Sequence, residues 1–234
     1  MLPIPPDLDR RTGPARGTAV RGILLGALAP GILLWLAIAA IGRLLTGPLI
    51  GWNRSESALN RSLQDTRDRT WDSVTALWSH VGNTEIVIGV CLVVVAPVWW
   101  RTRRWWFAVI PSIAVSLQAA IFVAATAVTG RPRPVPHLDP APPTTSYPSG
   151  HLGASDVLYA RLAIMATRIE ATWLRRTVIG VCSVIPVLVA YARLYRGMHH
   201  LSDVVVGAIN GLICAALAAS CLLHQPSWLN RGQR

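Results

Sequence analysis

The chain has 234 residues, 52% of them hydrophobic and only 14% charged, with a mean hydropathy of +0.43. A soluble domain usually carries about a quarter of its residues as charge, so this balance argues against an ordinary soluble globule. All 22 basic residues are arginine and the net charge is +11, yet the arginines lie between apolar runs rather than in one patch, which argues against nucleic acid as a partner.

Residues 1–20 are rich in proline and arginine and read as a disordered cytoplasmic tail. Gly22 to Gly42 carries no charge and is long enough to cross a bilayer, which takes about 20 apolar residues. No small-residue cleavage pattern follows it, so it reads as a retained signal-anchor. From Asn53 to His80 the chain is polar, and the spacing of Leu59, Leu63, Trp71, Val74, Leu77 and Trp78 predicts an amphipathic helix along the outer surface. Further spans are predicted over Ile86 to Trp100, Trp105 to Gly130, Ser149 to Thr167, Thr177 to Ala192 and Val204 to Asn230. The fourth of the six is interrupted by Asp156 and Arg161, which read as polar contacts inside the bundle. Arginines concentrate before span one, in the "RTRR" turn between tryptophans 99, 100, 105 and 106, between spans four and five, and at the end of the chain. That distribution puts those loops and both termini in the cytoplasm. The fold expected is all-α: a six-helix polytopic membrane bundle over residues 21–225 with an outer-surface helix, and a short cytoplasmic tail at 226–234. Cys91, Cys182, Cys214 and Cys221 fall inside spans and read as packing residues.

This topology gathers two polar segments on the outer face. One is "GRPRPVPHLDPAPPTTSYPSGH", with seven prolines between Arg131 and Ser149, hence stiff and largely non-helical. It supplies Arg131, Arg133, His137, Asp139, Ser149, Gly150 and His151. The other enters the last span and supplies Arg193, Arg196, His199, His200 and Asp203. Guanidinium groups make forked bonds to phosphate, and "PSGH" opening a helix offers backbone N–H groups to an anion. On a helix Asp203 can serve His199 at i+4 or His200 at i+3, and periodicity leaves both open. No carboxylate cluster stands beside these residues to hold a metal, and no cofactor is expected.

Taken together, these residues resemble the type 2 phosphatidic acid phosphatase family, whose signature is Lys-x6-Arg-Pro, Pro-Ser-Gly-His and Ser-Arg-x5-His-x3-Asp. The second part is intact at Pro148, Ser149, Gly150 and His151; the third matches at Arg193, His199 and Asp203, with Ala192 in the serine position. In the first, Arg133 and Pro134 match, while Thr126 stands where the family has lysine. The resemblance implies His199 as nucleophile, His151 as general acid and then base, and Asp203 as the group orienting the nucleophile. It implies a phosphate held by Arg133, Arg193, Ser149 and Gly150, with Thr126 at the lysine position; Arg131, two residues before Arg133 and outside the signature, is the expected replacement cation. His200 falls outside the signature and reads as a wall residue. The implied activity is metal-independent hydrolysis, through a phosphohistidine, of a lipid phosphate or pyrophosphate at the outer leaflet of the plasma membrane. A polyprenyl pyrophosphate is favoured over phosphatidic acid or phosphatidylglycerol phosphate. The alternatives are a lipid-phosphate binding protein or phosphotransferase of the same fold and, further off, an anion transporter.

Overall fold

A computed structural model describes residues 16–103, 108–134, 136–140 and 145–223. Residues 1–15 of the tail expected at 1–20, the tail at 226–234, the tryptophans 105 and 106 and the side chain of Cys221 lie outside the described residues, while residues 16–20 of the expected tail are helical. Of the described residues 81% are helical, and no strand occurs among them. In chain order the helices are α1 (Arg16–Ile23), a π-helical segment (Leu24–Leu28), α2 (Ala29–Thr46), α3 (Trp52–Asp65), α4 (Arg69–Val81) and α5 (Thr84–Thr102). Then come α6 (Ile110–Thr129), α7 (Gly150–Ala166), α8 (Thr172–Tyr195) and α9 (Leu201–Leu223).

The first apolar run folds as α1, the π segment and α2 in succession. Pro30 lies in the first turn of α2, and its ring would collide with the carbonyl four residues back, inside the widened segment. Among the described residues, five helical stretches are long and apolar enough to cross a membrane: Val20–Thr46, Thr84–Arg101, Ile110–Thr129, Thr172–Tyr195 and Leu201–Ser220. The predicted fourth span corresponds to α7, which is 17 residues long and carries both Asp156 and Arg161. Nε of Arg161 and Oδ2 of Asp156 are buried without a hydrogen-bond partner among the described residues.

Half of the last span is buried inside the protein, against 11% of Thr84–Arg101, so α9 is the axis and α5 lies at the perimeter. Helices α6 and α7 pack on α9, α8 on α7, and α2 on α6. The perimeter carries Leu33, Leu92, Val93, Val123 and Val187 outward, each more than 60% exposed. The interior holds an apolar core that includes Ile38, Ile110, Val157 and Leu158, and with it the polar Gln118, Ser155 and Asn210. A bilayer gives apolar groups no reason to turn inward, so close packing and polar contacts join the helices. Gly207 shows how close that packing is. A Cβ there would come within 2.5 Å of the Ser149 carbonyl oxygen, so its absence lets α9 lie against the start of α7.

The single outer helix expected over Asn53–His80 is two helices. Asp68 breaks the run by adopting an extended conformation and accepting the Trp71 N–H at 2.9 Å, an N-cap that starts α4. The two helices turn their polar sides inward, with Glu56, Asn60, Thr75 and Ser79 buried, while Trp52, Trp71, Val74 and Leu77 stay exposed. That is the arrangement expected of helices lying where bilayer meets water. Cys91, Cys182 and Cys214 are buried free thiols.

Gly207→Ala is expected to lower the thermal midpoint of the detergent-solubilised protein, overpacking costing about 1–3 kcal/mol. Gly180→Ala, where a Cβ meets nothing within 4 Å, should leave the midpoint unchanged or raise it, since alanine is the better helix former. Equal midpoints for the two variants would contradict this account of the α7–α9 contact.

Candidate active site

Two turns at the same end of the bundle build the site. Gly130, with φ of 66°, ends α6 and sends the chain into the proline-rich loop. Gly197, with φ of 71°, turns the chain after α8, and a Cβ there would strike the Pro136 carbonyl oxygen at 2.7 Å. Only glycine takes that backbone conformation cheaply, so the two turns are able to touch. Backbone bonds stitch them: Leu138 N–H to the Arg196 carbonyl at 2.9 Å and Ser149 N–H to the Asp203 carbonyl at 2.9 Å. Asn60 on α3 closes the roof, its Nδ2 donating to the carbonyl of His199 at 3.1 Å.

Between the turns lies a cavity of about 880 Å³, and His199, His151, Arg133, Arg193, Gly150 and Thr126 all line it. His199 is 3% exposed, and its Nδ1 is 2.6 Å from the carbonyl oxygen of Ser146. A carbonyl only accepts, so Nδ1 carries the proton and Nε2 keeps its lone pair. Nη2 of Arg193 lies 3.3 Å from that Nε2 and donates to it. Burial first, then the charge of Arg193, holds the imidazole well below the ordinary histidine value of 6.5. The ring is therefore a neutral base with its lone pair turned to a cation.

Arg193 also donates through Nη1 to Ser79 Oγ at 2.8 Å and to Asp139 at 3.2 Å. Asp139 takes a second ion pair from Arg196, whose Nε reaches it at 2.7 Å. Burial alone would raise the Asp139 carboxyl, but hydrogen bonds from Arg196 and Ser79 and the charges of Arg196 and Arg193 hold it below the usual carboxylate value. Arg133 donates to the carbonyls of Met198 at 2.9 Å and Thr145 at 3.2 Å. His151 Nε2 is 2.8 Å from Asn83 Oδ1.

Three expectations change. Asp203 does not hold the His199 ring: one of its oxygens takes Arg131, the other accepts the His200 N–H at 2.8 Å and faces His200 Nδ1 at 3.3 Å. The backbone carbonyl of Ser146 occupies Nδ1 of His199 instead, because the loop crosses directly over the ring. Arg131 is not a free cation for an anion. It has no exposed surface and no place in the cavity wall, and its terminal nitrogens are committed to Glu56, Asn53, Ser202 and Asp203. Ser149 is fully buried with Oγ unpartnered among the described residues, outside the cavity wall that its neighbour Gly150 lines. Thr126 does line the cavity, though its hydroxyl donates to the Val123 carbonyl at 2.8 Å. His200 lines a smaller cavity of about 240 Å³ on the far side of Arg133. His137 makes no part of either cavity wall. Sequence reasoning missed Asn83, Ser79, Asn60 and Glu56. Nothing in their local pattern marks them, because each meets its partner across dozens of residues.

The family model described as the PAP2 superfamily matches residues 105–226, more than half of the chain. Two solved structures share the fold. The crystal structure of the first transmembrane PAP2 type phosphatidylglycerolphosphate phosphatase from Bacillus subtilis aligns with a TM-score of 0.68 at 18% identity, over 89% of this chain and 98% of that one. The crystal structure of Aquifex aeolicus LpxE aligns with a TM-score of 0.55 at 20% identity, over 70% of this chain and 93% of that one. No curated protein sequence matches the chain.

Native His199 stays neutral where the unfolded chain takes up a proton, so its contribution to stability is lost as pH falls below about 6.5. Asp139, held low by its arginines, loses its contribution only below the ordinary carboxylate range, outside this window. Between about pH 7 and pH 5 the thermal midpoint of the native chain in detergent should therefore lose more, or gain less, than that of His199→Gln. A slope unchanged by that substitution would contradict the assignment of a buried neutral ring.

Proposed function

The chain belongs to the PAP2 superfamily, and from that premise we propose that it hydrolyses a lipid phosphate or pyrophosphate through a covalent phosphohistidine on His199. The observation that carries this reading is the His199 ring itself. Its Nδ1 proton is committed to Ser146, and its Nε2 lone pair faces a cavity lined by Arg133 and Arg193.

A phosphate entering the cavity draws Arg193 from Nε2 to its own oxygens, since a charge-assisted bond to an anion is stronger than one to a neutral ring. Nε2 then attacks the terminal phosphorus and its P–O bond to the leaving group breaks, the leaving group being the lipid alcohol of a monophosphate or the lipid phosphate of a pyrophosphate; His151 gives a proton to the departing oxygen. Arg133 and the N–H groups opening α7 stabilise the charge on the phosphoryl oxygens. Water attacks the phosphohistidine next, losing its proton to His151, and inorganic phosphate leaves with His199 restored. Asp203 acts at one remove, fixing the turn through the His200 N–H and Arg131.

The lipid character of the substrate is supported by the site's place at the ends of the apolar helices, where a head group enters while its chain stays in the bilayer. A polyprenyl pyrophosphate is the favoured substrate, with phosphatidic acid and phosphatidylglycerol phosphate as the other head groups. α7 serves as the sixth crossing, which leaves the arginine-rich loops and both termini in the cytoplasm and the site at the outer leaflet of the plasma membrane. A second reading, binding of a lipid phosphate without turnover, draws on the Thr126 hydroxyl and the Arg131 guanidinium both being engaged elsewhere.

Detergent-purified protein is expected to release phosphate from polyprenyl pyrophosphate or phosphatidic acid with EDTA present. His199→Ala should lose at least about a thousandfold in kcat, while His200→Ala keeps most of the activity. Retained binding with no release by the native chain would favour the second reading; activity surviving in His199→Ala would overturn the first.

A further inference from the structure

His151 is held from outside the signature residues. Its Nε2 lies 2.8 Å from Oδ1 of Asn83, and Nδ2 of the same amide lies 3.0 Å from Nδ1 of His80. Asn83 forms the turn between α4 and α5 and is the N-cap of α5, yet its side chain makes no capping bond to its own helix. An N-cap asparagine ordinarily gives its side-chain oxygen to the helix it starts. Here that oxygen goes to an imidazole on another helix, while the backbone carbonyl still anchors the residue by accepting the Val87 N–H at 3.0 Å. The turn also abuts the target: a Cβ at Gly82 would come within 3.2 Å of the His151 Cβ. His80, Asn83 and His151 all line the same cavity.

We propose that Asn83, backed by His80, is a positioning residue that fixes which ring nitrogen of His151 exchanges protons with the substrate. The inference deepens the phosphatase reading above and rests on it. An amide nitrogen only donates, so His80 Nδ1 presents its lone pair to Nδ2, which turns Oδ1 toward His151. An amide oxygen only accepts, so His151 keeps a proton on Nε2 throughout. Nδ1 is then the working nitrogen. In the imidazolium it carries the proton delivered to the departing lipid oxygen. Once neutral, it takes a proton from the water that attacks the phosphohistidine, which restores the imidazolium. The amide thus does for the acid–base histidine what the Ser146 carbonyl does for the nucleophile, each holding one nitrogen so that the other works. The charged and titratable groups sharing the cavity with His151 are Arg133 and Asp139 on the loop, Arg193 on α8, His199 and His80.

The test pairs kinetics with a readout independent of turnover. Phosphate release from polyprenyl pyrophosphate and phosphatidic acid is followed from about pH 5 to pH 9 for the native chain, Asn83→Leu and Asn83→Asp. Asn83→Leu should lose about 10- to 100-fold in kcat with KM within about threefold. Asn83→Asp keeps an acceptor and adds a negative charge that favours the imidazolium, so it should rescue kcat and move the alkaline limb up by about one pH unit. In parallel, ¹⁵N spectra of histidine-labelled protein should show His151 protonated at Nε2 in the native chain and as a mixture of tautomers in Asn83→Leu. If the native chain is active but the variants match it in kcat, pH profile and ring shifts, the positioning role is wrong and the phosphatase reading stands. If the native chain releases no phosphate, the phosphatase reading fails, and unaltered ring shifts in Asn83→Leu would overturn the positioning role as well.

Discussion

Arg131 has no exposed surface, and its guanidinium bonds Glu56 and Asn53 on α3 with one terminal nitrogen and Ser202 and Asp203 on α9 with the other. Three stretches far apart in sequence, the roof helix, the proline-rich loop and the start of the last span, meet at this one cation. A charge at such a site is costly unless paired, and removing one partner strands the rest. Its value is therefore in register more than in net stability. With Arg131 seated, the loop must cross His199 at Ser146 and the turn at 197–200 must sit under Asn60. The tautomer of His199 follows from where this ion-pair cluster pins the loop.

Above that fixed floor the cations that line the cavity are held by weaker or replaceable partners. Arg193 rests on Asp139, Ser79 and the His199 lone pair, and Arg133 on two backbone carbonyls. The bonds to neutral partners, Ser79, the His199 lone pair and the two carbonyls, are weaker than those a guanidinium makes to a phosphate dianion. The site therefore combines a nucleophile that is rigidly oriented with cations able to turn toward a ligand. Preorganised donors of this kind are the usual source of transition-state stabilisation for developing negative charge. While Arg193 donates to Nε2, the nucleophile is also masked until an anion arrives.

Much of this was legible beforehand, and the rest was hidden for a physical reason. Hydropathy found the apolar helices because a bilayer imposes length and composition on each segment separately. The signature spacing picked out His151, Arg133, Arg193 and His199, which do converge on one cavity. Partner assignments were another matter. That Asp203 goes to Arg131 and His200 rather than to the His199 ring depends on where the loop crosses, and a backbone carbonyl such as that of Ser146 leaves no mark in side-chain pattern. Glu56 lies in a segment that reads only as polar, yet it is 5% exposed against Arg131. The outer helix was seen as one because its apolar spacing continues across residues 66–68, where the Asp68 cap splits it. Its buried face proved polar because both sides of an interfacial helix have somewhere favourable to go.

The claim on which the account turns is that His199 becomes covalently phosphorylated. The direct measurement is rapid quenching in base of protein turning over a lipid substrate labelled with ³²P, followed by mapping of the labelled peptide. The account predicts a base-stable, acid-labile phosphoryl group on His199 of the native chain, and no label in His199→Ala. A label that never appears on the protein while phosphate is released, or one that maps to His200 or His151, would contradict it.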